Sequence, residues 1–348
     1  MTLTKRQYKI FDYIQENQSV KRLDIETYIQ SLDENISKIT VIRDLDVLLK
    51  EKLIKKSGQA RSITYSPISD NELLRKYNIE EYFSIETDKR KIKYHNFNFS
   101  IFTEFKDVFS TKELKELEET NKIFVEKTKK LTPIALKKEF ERLMIELSWK
   151  SSQIEGNTYS LLDTEVLIKE NIEAKGHKKE EAIMILNHKN ALEYIFENRD
   201  YFRILTRAKI EELHAILTKD LGVEKGLRKA PVGIVGTNYK PLDNQHQIKE
   251  AIEKLVKIIN QFKNPIEKAL ATVIMISYIQ PFEDGNKRTG RILANAILLA
   301  YNYCPLSYRS VNEAEYKKAV IIFYENNSIT YFKELFIEQF KFAVDKYF

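Results

Sequence analysis

The sequence contains little cysteine, glycine and proline, and it has no long apolar run. Its 348 residues include one cysteine, nine glycines and seven prolines. Because one thiol cannot form an internal disulfide or a multi-cysteine zinc site, disulfide scaffolds and zinc fingers are excluded. No stretch approaches the roughly 18 apolar residues of a membrane span, and the N-terminus lacks the apolar run of a secretory signal. We therefore expect a cytoplasmic protein with no membrane partner.

Charge of neither sign dominates. The chain has 57 Lys and Arg residues against 51 Asp and Glu residues, a formal net charge of +6. An excess this small does not establish a nucleic-acid partner, so the position of the charges matters more than their sum. Hydrophobic residues make up 43% of the chain, which excludes global disorder, and the length favours two domains.

The first seventy residues have the pattern of a small helical domain that ends in a hairpin. The predicted elements are helices at about 4–17, 23–32 and 37–52, then strands at 53–56 and 61–66 joined by a turn at Ser57 and Gly58. The third helix places its apolar residues at spacings of three and four. This leaves polar residues, Asp44 among them, on the outward side of its N-terminal half.

The stretch from Thr40 to Gly58 resembles the winged-helix domains of bacterial transcription regulators. The resemblance implies that the third helix enters the DNA major groove while the hairpin contacts the phosphate backbone. The residues expected to contact DNA are Ser37, Lys38, Thr40, Arg43, Lys55, Lys56 and Arg61. The alternative is a protein-interaction module whose lysines only solvate one face.

Residues 71–110 show no period and are interpreted as a connector, and the chain beyond Thr111 is predicted to be mainly helical. Helical periods cover 111–130, 134–152, 179–198, 206–219 and 245–262, and two more helices follow residue 265. Between 226 and 242, glycines and prolines bracket alternating apolar residues, which predicts a short β-hairpin. The expected fold class is therefore mainly α.

The segment Gln280–Arg291, with the sequence QPFEDGNKRTGR, is the most informative part of the chain. It is predicted to be a loop that leads into a helix, and free backbone N–H groups at a helix N-terminus point at anions. Gly285 allows close approach to a phosphate, and Arg288 and Arg291 add positive charge on one face. Asp284 is a hard oxygen ligand suited to Mg²⁺ bound to phosphates. These residues predict a nucleotide site.

The same segment resembles the motif of the Fic family, His-x-Phe-x-Asp/Glu-Gly-Asn-Gly-Arg-x-x-Arg. The matching residues are Phe282, Asp284, Gly285, Asn286, Arg288 and Arg291. The resemblance implies an all-helical core with a β-hairpin flap over residues 111–348. It also implies that this core binds ATP and transfers AMP to a Ser, Thr or Tyr hydroxyl of a protein target.

The resemblance also implies roles for single residues. Phe282 would anchor the loop in the core, Asp284 would hold Mg²⁺, and Gln280 stands at the position of the family's catalytic base, with Arg288 as a second catalytic residue. The expected nucleotide-binding residues are Gly285, Asn286, Lys287, Arg288, Gly290 and Arg291.

A second match lies upstream. Residues Ser151, Glu155 and Gly156 resemble the family's inhibitory pattern Ser/Thr-x-x-x-Glu-Gly/Asn, at the end of a predicted helix around 140–157. The resemblance implies that Glu155 pairs with Arg291 so that ATP binds unproductively; the simpler alternative is that Glu155 and Gly156 only end a helix. The hairpin would be the family's flap, which holds an extended target segment by main-chain pairing. Its expected edge is formed by Val232, Gly233, Ile234 and Val235.

Two residues depart from the family motif. Gln280 replaces its histidine, and an amide cannot accept a proton at neutral pH, so a loss of about 10²–10⁴ in rate is expected. Lys287 replaces its second glycine, as in the Doc branch, which transfers phosphoryl groups, although Doc-like members tend to lack the second arginine, here Arg291. The histidines of the chain all lie outside the motif: His95, His177, His188, His214 and His246.

Three functions are consistent with these patterns. The first is an autoinhibited protein adenylyltransferase that uses ATP and Mg²⁺ and is weakened by Gln280. The second is a transcription regulator in which the helical body has become a nucleotide sensor or dimerisation platform and DNA binding is the output. The third, based on Lys287 alone, is a Doc-like protein phosphotransferase. A homodimer is compatible with all three, since winged-helix regulators often read paired half-sites.

Overall fold

The chain divides into two compact units, Met1–Arg90 and Lys91–Phe348. The computed structural model describes residues 3–32, 36–59, 62–68 and 71–348. The protein is mainly α, as predicted, with a small sheet in the first unit. Among the described residues, none of the helices has the length and apolar character needed to cross a membrane.

The described residues of the first unit form four helices and a three-stranded antiparallel sheet in the order β1-β3-β2. Its elements are α1 (Lys5–Asn17), β1 (Val20–Lys21), α2 (Arg22–Ser31), α3 (Lys38–Lys50), β2 (Ile54–Ser57), β3 (Thr64–Pro67) and α4 (Ile79–Ser84). The hairpin pairs Lys56 with Tyr65. Each of the first three helices begins and ends within two residues of the prediction. Arg61, predicted to contact DNA, lies outside the described residues.

Apolar side chains at helical spacing build the core of the first unit. Ile10, Ile25 and Leu45, one from each of the first three helices, are fully buried in it. The prediction that Asp44 faces outward is wrong. Asp44 is buried because its carboxylate accepts hydrogen bonds from Arg6 Nε and Gln7 Nε2, which tie α3 to the start of α1.

The second unit is helical. Its helices are α5 (Ile101–Glu104), α6 (Thr111–Lys130), α7 (Pro133–Ile154), α8 (Leu161–Glu170), α9 (Lys179–Glu197), α10 (Arg207–Leu217), α11 (Gln245–Gln261), α12 (Pro265–Ile279), α13 (Asn286–Ala300), α14 (Glu313–Asn326) and α15 (Thr330–Lys346). Four helices follow residue 265 rather than the two expected, and α8 is additional. Residues 91–110, interpreted as a connector, belong to this unit, where Phe97 stacks on Tyr278.

Helices α12 and α13 form the centre of the second unit. Every residue of α12 except Glu267 is buried, which explains its almost continuous apolar sequence. Gly290 lies at the point where α13 crosses α12, and a Cβ there would lie only 2.9 Å from Val273 O. The close crossing therefore requires glycine, and it fixes the position of the loop between the two helices.

The segment 226–242, which we call the flap segment, does not form the predicted β-hairpin. It contains no strand, and its only ladder contact is an isolated parallel bridge between Lys240 and Asn96. Arg228 shapes it instead, since its guanidinium donates to the carbonyls of Gln280, Ala230 and Leu242. The alternating apolar pattern thus lies on an irregular loop whose carbonyls are satisfied by a side chain rather than by a second strand.

Candidate functional site

A cavity of about 420 Å³ lies where the end of α7, the flap segment, the loop before α13 and helix α14 meet. We call it the loop cavity. Its lining includes many of the residues predicted for nucleotide, inhibitory and flap roles, namely Glu155, Gly156, Val232, Gly233, Ile234, Val235, Gln280, Asp284, Gly285, Asn286, Lys287 and Arg288. Folding therefore brings together three segments of chain that are separated by about 50 to 80 residues.

Phe282 anchors the loop between α12 and α13. Its side chain is fully buried and stacks on the His214 ring, with centroids 3.7 Å apart and planes 9° from parallel. Gly285 then turns the chain into α13 with φ of +79°, where a Cβ would lie 3.0 Å from Thr218 Cγ2. The positive φ and the close packing both favour glycine at this position.

Asn286 closes the loop on itself. Its Oδ1 accepts from Phe282 N at 2.8 Å, and its Nδ2 donates to Phe282 O and to Gln280 Oε1 at 2.8 and 2.9 Å. The resemblance suggested that this side chain would hold phosphates. In the structure its hydrogen bonds go to the loop, so the groups left to face an anion are the backbone N–H groups of the first turn of α13.

Gln280 lines the loop cavity, but its side chain is tied inward. Its backbone has φ of +49°, in the left-handed region that non-glycine residues rarely adopt. Nε2 donates to Ser277 O at 2.7 Å, and Oε1 accepts from Asn286. The amide therefore supports the loop, and it carries no group that takes up a proton at neutral pH.

No histidine lines the loop cavity, although two lie behind its walls. His214 Nε2 donates to Asp284 O at 2.9 Å, and burial lowers its pKa to about 4. His188 Nε2 accepts from Ser151 Oγ, while burial and the nearby Arg288 lower its pKa to about 3. Both rings are buried outside the cavity lining, and their low pKa makes them weak bases, so neither replaces the missing base at position 280.

Asp284 and Arg288 form an ion pair at the mouth of the cavity. Arg288 Nη2 donates to Asp284 Oδ2 at 3.0 Å, and the carboxylate side chain is 70% exposed. Arg288 itself is almost fully buried, and this burial lowers the pKa of its guanidinium. Asp284 is thus held in place by one oxygen while it remains accessible from the cavity.

Glu155, which lines the cavity and whose side chain is 20% exposed, forms an ion pair with the fully buried Arg291. Arg291, which has no exposed surface, donates from Nη2 to Glu155 Oε1 at 2.8 Å and to Ser151 O, and from Nε to Ser151 Oγ at 2.9 Å. The predicted inhibitory residues Ser151 and Glu155 thus both contact the second motif arginine. Gly156 ends α7 with φ of +96°, which turns the chain away directly after Glu155.

Lys287 adds a second cation beside Glu155. Its Nζ lies 3.7 Å from Glu155 Oε2, while Arg291 takes the other carboxylate oxygen. Burial opposes ionisation of Glu155, but the charges of Arg291, Lys287 and Arg288 outweigh it and hold the pKa of this carboxyl below its usual range. Glu155 is therefore an anion placed where an incoming phosphate would meet the same cations.

The flap segment forms the outer wall of the loop cavity. Val232, Gly233, Ile234 and Val235 all line it, and Val235 is 97% exposed. A fully exposed valine at the rim of a cavity offers an apolar contact to a further molecule. Because no strand forms here, a target segment would meet the backbone N–H and C=O groups of an irregular loop and not the edge of an existing sheet.

Helix α14 contributes to the cavity, although none of its residues was predicted to belong to the site. The cavity residues from this helix are Tyr316, Lys317, Val320, Ile321 and Tyr324. Tyr316 packs over the Arg291 guanidinium, 5.5 Å from ring centroid to Cζ. A detectable signal was the pair Tyr316 and Tyr324, eight residues apart and hence on one helical face.

The residues predicted to contact DNA lie in the first unit. Lys38, Arg43, Lys55 and Lys56 are exposed, and Ser37 is exposed at the N-terminus of α3. Ser37 caps that helix, since its Oγ accepts from Thr40 N and lies 3.0 Å from Thr40 Oγ1. The hydroxyls of Ser37 and Thr40 therefore share a hydrogen bond with each other, whereas the four basic side chains face solvent.

Residues 204–298, which span α10 to α13 and the loop, match the model of the Fic/DOC family. These residues form a Fic/DOC family domain. The Fic/DOC domain thus contains Phe282, Asn286 and both motif arginines, while Glu155 lies upstream of it.

The similarity to curated proteins covers more of the chain than this domain does, at low sequence identity. The chain is 27% identical over 189 residues to "Protein adenylyltransferase Fic" of Nematostella vectensis, covering 53% of this chain and 44% of that protein. It is 28% identical over 200 residues to the protein of the same name from Aedes aegypti, covering 53% and 38%. The chain thus spans less than half the length of these curated relatives.

A solved structure shows the same fold. The crystal structure of a Fic domain containing signaling protein from Bacteroides thetaiotaomicron aligns with a TM-score of 0.57 and 22% identity, over 67% of this chain and 94% of that one. At this identity the likeness establishes the fold alone and not the chemistry.

Proposed function

We propose that the second unit is an autoinhibited, ATP-binding protein adenylyltransferase of the Fic type with a weak transfer step. The observation that carries the proposal is the contact of Glu155 with Arg291, at 2.8 Å, in the wall of a cavity that opens onto a helix N-terminus. The similarity to proteins named adenylyltransferases supports the same reaction class.

The loop cavity suits a nucleoside triphosphate. Its volume of about 420 Å³ falls in the ordinary range for small-ligand sites. The free N–H groups at the start of α13, together with Lys287 and Arg288, supply positive charge for phosphate oxygens. Asp284 fits Mg²⁺, because the ion is usually bound by one or two carboxylates plus phosphate oxygens and Asp284 keeps one oxygen clear of Arg288. When bound, Mg²⁺ would offset the charge of the phosphates.

In the proposed reaction a target hydroxyl oxygen forms a bond to the α-phosphorus of ATP as the bond to pyrophosphate breaks. The flap segment would hold the target beside the cavity through main-chain contacts and the exposed Val235. The hydroxyl proton must leave during this step, and Gln280 cannot accept it. Turnover is therefore slow, with the proton passing to water rather than to a positioned base.

Glu155 restrains this reaction further. As long as its carboxylate occupies Arg291 and lies near Lys287, a triphosphate that reaches these cations meets a like charge. Removal of the carboxylate frees both cations for phosphate oxygens. The proposal thus explains why the arginine that completes the motif is buried beneath a glutamate.

We expect replacement of Glu155 by glycine to raise AMP transfer above that of the wild-type protein. The test incubates both proteins with α-labelled or γ-labelled ATP, Mg²⁺ and host lysate, followed by autoradiography. Label from α-labelled ATP that increases in Glu155→Gly supports the proposal. Label from γ-labelled ATP alone would indicate the Doc-like phosphotransferase. The matched control is Glu224→Gly, which makes the same substitution at an exposed loop residue away from the cavity.

The second candidate function is a DNA-binding regulator that responds to nucleotide through the second unit. Two observations favour it. The side chain of Gln280 is held by a hydrogen bond to Ser277 O and carries no base. The first unit also exposes four basic side chains on α3 and the hairpin, namely Lys38, Arg43, Lys55 and Lys56. The element order of the unit, with a hairpin after the third helix, is the one expected for a winged helix. In this candidate function the site no longer transfers AMP and serves only to bind nucleotide as a signal.

This candidate predicts that the hairpin lysines contribute to DNA affinity. Replacing Lys55 and Lys56 by methionine removes two phosphate contacts, so the slope of log affinity against log salt should become shallower by about two. The measurement is a fluorescence titration of duplex DNA at several salt concentrations. Lys115→Met with Lys122→Met removes the same charge from exposed positions of α6 and should leave the slope unchanged. Equal slopes for both double variants would rule out the hairpin as a DNA contact.

A further inference from the structure

A line of buried hydrogen bonds connects α9, α7 and α13 behind the wall of the loop cavity. His188, Ser151 and Arg291 come from these three helices in that order, and none of them has exposed surface. His188 Nδ1 lies 2.9 Å from Met184 O, and His188 Nε2 lies 2.9 Å from Ser151 Oγ. Arg291 Nε lies 2.9 Å from the same hydroxyl. We call these four residues the His188 network.

The direction of each hydrogen bond in the His188 network is fixed. A carbonyl only accepts, so Nδ1 carries the ring proton and donates it to Met184 O. Burial lowers the pKa of His188 to about 3, so at neutral pH the ring has no second proton and Nε2 accepts. Ser151 therefore donates its one hydroxyl proton to His188 and accepts from Arg291 Nε through a lone pair.

Ser151 holds the guanidinium of Arg291 at two points, and Glu155 holds it at another. Nε donates to Ser151 Oγ, while Nη2 donates to Ser151 O and to Glu155 Oε1, both at 2.8 Å. Without the Glu155 carboxylate, the contacts with Ser151 must orient the guanidinium. A serine hydroxyl whose proton has no acceptor can turn that proton toward Nε–H, which opposes the contact. His188 prevents this rotation because it takes the proton on the opposite side.

We propose that His188 is a positioning residue for nucleotide binding, acting through Ser151 to hold Arg291 in the orientation that receives a phosphate when the Glu155 carboxylate is absent. The inference rests on the function proposed for the loop cavity. In the wild-type protein Glu155 occupies Arg291, so the affinity for ATP does not depend on His188. In Glu155→Gly a phosphate takes the place of the carboxylate, and the affinity that Arg291 adds depends on the His188 network.

The test is calorimetric titration of the full chain with ATP and Mg²⁺, with His188→Leu placed in the wild-type and in the Glu155→Gly background. Leucine fills the site but cannot accept the proton of Ser151. We expect His188→Leu to weaken ATP binding at least about fivefold in Glu155→Gly and to change it by less than about twofold in the wild-type background. An equal loss in both backgrounds would show a general structural effect. That result, or no loss in either background, would overturn the proposal.

His188→Gln in the Glu155→Gly background tests the acceptor itself. The Oε1 atom of glutamine can accept from Ser151 in place of Nε2, so the affinity for ATP should stay within about twofold of that of Glu155→Gly. Equal losses in the glutamine and leucine variants would contradict the assignment of His188.

Ile195→Ala is the control for lost packing on α9. Its side chain is fully buried and lies about two turns beyond His188 on the same face of the helix. In the Glu155→Gly background it should change the affinity for ATP by less than about twofold, and a loss equal to that of His188→Leu would contradict the proposal. Absence of ATP binding by Glu155→Gly itself would instead overturn the proposed function, and this inference with it.

Discussion

Replacing Gln280 by histidine in the Glu155→Gly protein should increase AMP transfer by about 10²–10⁴, the usual contribution of a positioned general base. The variant restores a group that accepts the proton of the target hydroxyl. The surroundings are suited to it: Gln280 now donates to Ser277 O and accepts from Asn286, and an imidazole can use one nitrogen for such a contact while the other accepts a proton.

The measurement is incorporation of label from α-labelled ATP into lysate proteins, compared with Glu155→Gly alone. Gln280→Asn in the same background is the control, because it changes the size of the side chain while keeping an amide. Equal incorporation by the histidine, asparagine and parent proteins would mean that proton removal at position 280 does not limit transfer.

Replacing Phe282 by alanine should lower the free energy of unfolding of the second unit by about 3–5 kcal/mol. The ring is fully buried and stacks on His214, so its removal leaves a cavity directly beneath the loop. The loop backbone is held by Asn286 to Phe282 N and O, so loss of the ring also loosens the contacts that order the anion site.

The single tryptophan, Trp149, lies on α7 and makes this prediction simple to measure. Its fluorescence during urea denaturation reports the second unit separately from the first. Val235→Ala is the control, because that side chain is 97% exposed and its truncation should change the unfolding free energy by less than about 0.5 kcal/mol. Similar effects of the two substitutions would show that Phe282 does not anchor the loop.

The features of the site that involve neighbouring residues in the chain were predictable from the sequence. The segment from Gln280 to Arg291 is a loop followed directly by a helix, so spacing alone places its glycine, carboxylate and arginines relative to one another. The mainly α fold was also predictable, because α6 and α11 have strong helical periods. The contact between Glu155 and Arg291 followed from the family resemblance and not from spacing.

Other features depended on partners that a sequence does not reveal. The alternating residues 232–235 predict a strand, but a strand needs an edge to pair with, and Arg228 satisfies the nearby carbonyls instead. Asn286 was assigned to phosphates, yet its hydrogen bonds close the loop. Helix α14 gave little signal because residues on most of its sides are buried, which removes the polar face that marks a surface helix.

The central claim, that the loop cavity binds ATP and that Glu155 competes for its cations, is tested most directly by calorimetric titration with ATP and Mg²⁺. The wild-type protein, Glu155→Gly and the control Glu224→Gly would be compared under identical conditions. We predict one ATP per chain in all three, with tighter binding only in Glu155→Gly, because Arg291 becomes available to the phosphates. Absence of saturable binding in all three, or equal affinity in Glu155→Gly and wild type, would contradict the account.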